Sequence, residues 1–261
     1  VAFQFFREIY MTGQRASTIT RIAAGVFAAL GALGLAVPAS AERDTSFTAL
    51  LSQDNFFGFY PSFNGLVEVN DKIDFSFYGI MWTTSLFGTN LGSDLWTEFG
   101  AGININAADG KLAIKPQLGF TNGVLLSTPA TDDSGDVGGN VFDGIVPSLT
   151  INYSGERLEA EWYSGYYAAL KNRGDPGTLD FLHLWANGGY KFSPYVSAGL
   201  HYEWLDNTVN EGGQAATVYQ WFGPYLQFSM PQGFFARFSG GAQLEDGAAG
   251  DFYKLTMGMS F

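Results

Sequence analysis

The sequence predicts an all-β protein, a transmembrane antiparallel up-and-down β-barrel of about 12 strands, with about 10 as the alternative, preceded by a cleaved signal peptide. Three observations carry this. Runs of about ten residues alternate apolar with polar side chains, the period of two of a strand with unlike faces. The joints between runs are by turns tight and long, as in barrels with short periplasmic turns and longer outer loops. Aromatic residues such as Tyr153, Tyr190, Phe228, Phe234 and Phe261 fall beside the tight joints or at the end of the chain, where amphipathic rings settle at a membrane interface.

In chain order, Val1 to Tyr10 carries no pattern and reads as an upstream extension of the reading frame. Met11, Arg15 and Arg21 precede the uncharged run Ile22 to Val37, and the small-residue site Ala39-Ser40-Ala41 follows. That is the order of a secretory signal peptide over residues 11–41. A run interrupted by Gly25, Gly31 and Gly34 and closed by Pro38 is short for a transmembrane anchor. Residues 42–261 then form the barrel.

Alternating runs extend from Phe57 to Phe261, and an even strand count requires a first strand hidden in Thr45 to Gln53, with a short plug over Asp44 to Gln53 as the alternative reading of that stretch. Tight turns are expected at Asn70-Asp71-Lys72, Ala108-Asp109-Gly110, Ser154-Gly155-Glu156, Lys191 to Pro194 and Met230 to Gly233, all rich in turn-forming residues. Longer loops are expected at Ser85 to Asp94, Val124 to Val141, Lys171 to Thr178, Asn207 to Ala216 and Asp246 to Gly250. Two clear faces appear in Tyr195 to Leu205, where Val196, Ala198, Leu200, Tyr202 and Trp204 oppose Ser197, Gly199, His201 and Glu203. Arg157 to Tyr167 and Gly233 to Glu245 behave alike, whereas Thr217 to Ser229 carries aromatics in both registers and its faces stay unassigned. Pro61, Pro116, Pro147 and Pro224 interrupt runs, and bulges or strand ends rising above the membrane are expected there because each proline removes a ladder donor.

The last stretch, Asp251 to Phe261, sets Tyr253, Leu255, Met257, Met259 and Phe261 against Phe252, Lys254, Thr256, Gly258 and Ser260. An unpaired apolar edge is an aggregation hazard that barrel closure removes by pairing last strand with first. This end resembles the C-terminal strand of bacterial outer-membrane β-barrels, with its final aromatic residue. The resemblance implies an assembly signal made of Tyr253, Leu255, Met257, Met259 and Phe261 and read by the barrel-assembly machinery, with outer-membrane lipids around the barrel. Asp54-Asn55-Phe56-Phe57-Gly58-Phe59-Tyr60-Pro61-Ser62-Phe63-Asn64-Gly65 and Leu95-Trp96-Thr97-Glu98-Phe99-Gly100-Ala101-Gly102 resemble an uncharacterised family of porin-like outer-membrane barrels. That likeness implies fold and location in the bacterial outer membrane, and no functional residues.

With 13 basic against 25 acidic residues and a formal charge of −12, the chain lacks the basic clusters that bind nucleic acid. It has no cysteine and hence neither a disulfide framework nor a thiolate metal site. The loop Asp132-Asp133-Ser134-Gly135-Asp136 lacks the alternating ligand spacing of a calcium loop. His183 and His201, with Glu203 or Glu161, could form an acid/base pair, but a polar lumen explains them more simply and no nucleophile–base spacing accompanies them. No catalytic, cofactor or metal residue is assigned, and an enzyme is not expected.

The expected lumen set is Glu98, Lys115, Glu159, Glu161, His183, His201, Glu203, Arg237 and Lys254. Most inward positions are small or polar, with Tyr60, Tyr163 and Trp185 as bulky exceptions. Counting Glu68, Asp74 and Glu245 with the acids, and Lys111 and Arg157 with the bases, leaves a slight acidic excess, to which Asp132, Asp133, Asp136 and Asp143 add near one mouth. The readings that follow are a channel for small hydrophilic solutes or ions with weak cation preference, or a closed barrel serving structure or surface interaction. The oligomeric state is left open.

Overall fold

A computed structural model describes residues 44–82, 96–123, 125–127, 140–245 and 250–261. The stretch expected to be a signal peptide, the loop at Ser85 to Asp94, the acidic loop at Asp132 to Asp136 and most of Asp246 to Gly250 lie outside these described residues.

Twelve strands occur among them: β1 (Thr45–Asp54), β2 (Gly58–Asn70), β3 (Ile73–Trp82), β4 (Trp96–Ala107), β5 (Leu112–Gly123), β6 (Asn140–Ser154), β7 (Leu158–Ala169), β8 (Leu179–Ser193), β9 (Val196–Asn210), β10 (Thr217–Ser229), β11 (Phe234–Gln243) and β12 (Phe252–Ser260). Each pairs antiparallel with the next, and β12 returns to β1, so the sheet closes. The stretch that could have been a plug is therefore the first strand. At the seam Leu51 faces Met257. The Phe47 N–H donates to the Phe261 carbonyl at 3.0 Å, the Phe261 N–H returns the bond at 2.9 Å, and the two rings stack at 5.9 Å. Closure satisfies the edges that a free terminal strand would expose.

The tight joints at residues 71–72, 108–111, 155–157, 194–195 and 230–233 share one end of the barrel with the seam terminus, the periplasmic end in an outer-membrane barrel. Ala108 and Asp109 take positive φ of 50° and 55° ahead of Gly110 at 77°, a conformation that the tight turn demands and that Gly and Asp adopt more readily than Ala. Joints at the other end are longer, except β1–β2, which needs only Asn55 to Phe57.

The period of two sorts the side chains. Leu51, Phe75, Phe99, Trp162, Leu200, Phe238 and Met257 are exposed on the outside, while Ser52, Ser76, Glu98, His201, Glu203 and Ser239 are buried within. Tyr153, Tyr190, Tyr195, Phe228 and Phe261 are exposed near the turn end, the position of an interfacial girdle. On β10, Tyr219, Trp221 and Tyr225 are buried inside while Phe222, Leu226 and Phe228 are exposed outside. Its aromatics occupy both registers because both sides of the wall have a use for them.

The prolines are accommodated without the expected bulges. Pro116 stays paired with Leu149, Pro147 with Leu118, Pro224 with Leu200 and Pro61 with Leu51. On the opposite side the ladder skips rungs and resumes at the same offset: β5–β4 goes from Gly102↔Gln117 to Ile105↔Ile114, β6–β7 from Ile145↔Ala168 to Ser148↔Gly165, and β10–β11 from Phe222↔Ala242 to Tyr225↔Ser239. Pro61 lies just beyond Ser62, where β2–β3 pairing stops. One proline lacks one donor, and in an antiparallel ladder that donor serves a single neighbour, so the loss stays on one side. The register shifts that do occur lie at strand ends, for example between Thr121 and Gly123 and between Thr217 and Tyr219.

A closed barrel of this size, apolar on the outside and girdled by aromatic rings, spans the bacterial outer membrane.

Candidate functional site

The interior is layered along the barrel axis. The outer layer starts from a short-range bond pattern: Asp54, at the end of β1, accepts the N–H of Phe56 at 2.9 Å and of Phe57 at 2.6 Å on one carboxylate oxygen, and the Tyr60 hydroxyl at 3.0 Å on the other. An aspartate holding the backbone two and three residues on is a turn device. Here it folds the β1–β2 turn into the mouth, where Phe57 packs against two aromatic clusters at once. In one, Trp82 stacks on Tyr60 at 4.9 Å and on Trp96 at 4.7 Å. In the other, Trp221 stacks between Tyr219 at 3.9 Å and Phe252 at 5.1 Å. Leu126, fully buried in the first cluster, hangs from the loop after β5 by its N–H to Asp143 at 2.7 Å and by its carbonyl to the Leu179 N–H at 2.7 Å. Ser127 also bonds to Asp143.

Below lies a charged layer. Glu203, with no exposed surface, accepts four donors: His183 Nε2 at 2.9 Å and the Tyr219 hydroxyl at 2.8 Å on Oε1, His201 Nε2 at 3.1 Å and Lys254 Nζ at 2.8 Å on Oε2. His201 Nδ1 meets Asn187 Oδ1 at 2.8 Å, and Asn187 Nδ2 donates to Glu161 at 2.9 Å. Glu161 is held in addition by the Arg237 guanidinium at 2.6 and 3.0 Å, a two-point pair of the strong kind. This chain of bonds links β12, β9, β8, β7 and β11 across the lumen. A carboxylate buried with four donors is satisfied as a unit, and loss of any member leaves charge stranded in a low-dielectric interior.

Two cavities adjoin this layer. The central one, of about 300 Å³, is lined by Lys115, Glu161, His183, His201, Glu203, Arg237 and Lys254 together with neutral polar residues of β1, β2, β5 and β6. The other, of about 700 Å³, lies at the turn end and is lined by Glu159, Arg157, Lys191, Ser197 and Gln227 among others. Asn152, Glu161, Phe235 and Arg237 line both, so the Arg237–Glu161 pair stands at the neck between them. Glu159 accepts the Ser197 hydroxyl and the Tyr225 hydroxyl, each at 2.7 Å. Tyr225 lies flat on the wall because Gly189 and Gly199 offer no side chain; a Cβ at Gly189 would collide with its hydroxyl.

Of the residues expected in the lumen, Lys115, Glu161, His183, His201, Glu203, Arg237 and Lys254 meet around the central cavity and Glu159 lines the inner vestibule. Glu98 lines neither cavity: it is fully buried behind Tyr78, whose hydroxyl donates to it at 2.6 Å. Lys111 and Glu245 are exposed beyond the strand ends, and Arg157 sits at the vestibule rim with its guanidinium on the Tyr190 hydroxyl at 2.7 Å. The expectation of three bulky inward side chains falls short. Trp82, Trp96, Tyr167, Tyr219, Trp221 and Phe252 also point inward and fill the outer half, and Tyr78 points inward beside the central cavity. The available signal was the aromatic content of both registers of β10 and the Phe56-Phe57 pair in the shortest outer turn. Among the described residues no group of acidic, histidine or cysteine side chains is arranged to hold a metal ion.

The sequence matches, over residues 16–261, a family described as "Family of unknown function (DUF6733)", and the chain belongs to that family. No curated protein matches it in sequence. Among solved structures it is similar to a NanC porin, at 9% identity over 82% of this chain and 98% of that one with a TM-score of 0.49. It is also similar to a KdgM porin, at 12% identity over 83% and 99% with a TM-score of 0.47, and to an outer membrane channel from Pseudomonas putida F1, at 13% identity over 85% and 97% with a TM-score of 0.48.

Proposed function

We propose that this member of DUF6733 is a porin-like channel for small hydrophilic solutes and ions, with weak cation preference. The observation that carries this reading is the space kept inside the polar half: the cavities of about 300 and 700 Å³ meeting at the Arg237–Glu161 neck. A barrel needed only as a wall has no use for such a neck, and side chains fill the interior of small barrels without difficulty. Passage then requires the β1–β2 turn with Phe57 to move out of the mouth. The cation preference follows from Glu159, Glu161, Glu203, Asp54 and Asp74 outnumbering Lys115, Arg237 and Lys254 on the inward faces, and it is weak because two of the carboxylates are paired.

The aromatic outer layer favours a second reading, a closed barrel that serves structure or surface interaction without transport. Planar-bilayer recordings separate the two. The channel reading expects discrete current steps and a reversal potential of cation sign under a salt gradient, largest at low salt because screening acts over about 10 Å at 0.1 M. A correctly folded barrel that never carries current leaves the closed reading.

A further inference from the structure

The lumen is unevenly furnished around its circumference as well as along its axis. The bonded charges Glu161, Glu203, Arg237, Lys254 and the two histidines belong to β7, β8, β9, β11 and β12. The opposite wall of the central cavity, from β1, β2, β5 and β6, presents Ser52, Ser62, Asn64, Gln117, Ser148 and Thr150. On that wall stands one ionic group, Lys115. Its ammonium has no hydrogen-bond or ion-pair partner among the described residues, and Glu161, in the same cavity, is already held by Arg237 and Asn187.

The sheet register places an aromatic platform beside this lysine. Lys115 pairs with Thr150, Thr150 with Tyr163 and Tyr163 with Trp185, so the four inward side chains form one row across adjacent strands, with neighbouring Cβ atoms about 5 Å apart. The Tyr163 and Trp185 rings stack at 5.7 Å with planes 16° apart, and both line the cavity. A half-buried ammonium in direct contact with no carboxylate, its charge met only at longer range by Glu161, hydroxyls and amides able to exchange bonds, and an aromatic face together make a few convergent polar groups on an apolar surface, the make-up of a ligand site.

We infer that the central cavity is a subsite for a small hydroxylated monocarboxylate. Its carboxylate sits on Lys115, its hydroxyls on Thr150, Ser148 and Gln117, and its C–H face on Trp185 and Tyr163. This deepens the channel reading and rests on it for its purpose, yet it does not conflict with weak cation preference. Ion preference sums charges over the whole mouth and neck, whereas capture is decided by the group in contact.

Binding can be read without conduction. Purified barrel in detergent micelles, titrated with glucuronate and followed by tryptophan fluorescence, is expected to show saturable binding, with glucose, the same ring without the carboxylate, weaker by roughly tenfold or more. Lys115→Gln should abolish that difference and Lys115→Arg should keep it, in barrels whose folding is verified by unboiled gel mobility. Absence of saturable glucuronate binding, equal affinity for glucose in the unmodified protein, or undiminished glucuronate binding in Lys115→Gln overturns the subsite. If Lys115→Gln does not fold, the comparison of glucuronate with glucose decides alone. Current without glucuronate binding removes the subsite and leaves the channel; binding without current does the reverse.

Discussion

The outer and inner halves of the lumen are built on opposite principles from the same alternating strands. In the outer half Tyr60, Trp82, Trp96, Tyr219, Trp221 and Phe252 interlock face to face and Phe57 closes the gap between them, so stability comes from burying large rings. In the inner half the side chains are polar, the charges are bonded in a chain, and space remains. Moving inward along β9 and β12, the wall changes from Leu205 and Phe252 to Glu203, His201 and Lys254. One position of sequence pattern is therefore enough to pass from a dry plug to a charged layer. A polar wall does not imply an open path, and a plug need not be a separate domain: Phe57 of the shortest outer loop, packed between two clusters of wall side chains and Leu126, fills the mouth.

The largest expected effect lies where the halves meet. Glu203→Ala strands Lys254 and two histidines in the interior and should cost about 3–5 kcal/mol of stability, read as a lower urea midpoint in refolded barrel. Glu203→Gln should recover part of it by keeping acceptor capacity for Tyr219. A midpoint unchanged by both substitutions would mean that the bonded chain does not support the barrel.

Removing the plug is the next test. Phe57→Ala should cost about 2 kcal/mol, the burial of one half-covered ring, and raise conductance several-fold by clearing the mouth. Equal currents from the two proteins would place the barrier elsewhere. In the inner half, Glu161→Gln leaves Arg237 without its partner at the neck, at a cost of about 1–2 kcal/mol, and should turn the reversal potential from cation toward anion preference. An unaltered potential would separate the neck from selectivity.

The smallest thermodynamic effect is expected at the seam. Phe261→Ala removes one ring stacked on Phe47, worth about 1 kcal/mol. We expect less folded barrel in cells at normal synthesis, because that strand is proposed to be read during assembly. Unchanged folded yield would remove the assembly role.

Much of the fold was legible. Tyr253 to Phe261 announced a closing strand because an apolar edge needs a partner, and Thr45 to Gln53 followed from an even count. The tight turns were legible from Asn, Asp, Gly and Pro. Of the bulges or strand ends expected at the prolines, only Pro61 lies where a ladder stops; Pro116, Pro147 and Pro224 stay in register, because the sequence cannot say which neighbour a missing donor would have served. The site was legible by register only: alternation put His201 and Glu203 on one face, but no periodicity could reveal that Lys254, 51 positions away in the chain, meets Glu203. Alternation separates Tyr219 from Phe222, but with large aromatics in both registers of β10 it does not say which set faces the lipid and which forms the plug. Glu98 shows the limit most plainly, as it faces inward yet lies hidden behind Tyr78.

The contrast between the halves is tested most directly by chemical access from each side. The chain has no cysteine, so Thr150→Cys introduces a single thiol in the central cavity. In barrels oriented in liposomes, a small charged methanethiosulfonate reagent should label it roughly tenfold or more faster from the side of the tight turns than from the loop side, given a barrier of at least about 1.4 kcal/mol at the plug. Adding Phe57→Ala should collapse that difference. Equal labelling rates from both sides of the Thr150→Cys protein would contradict a closed outer half.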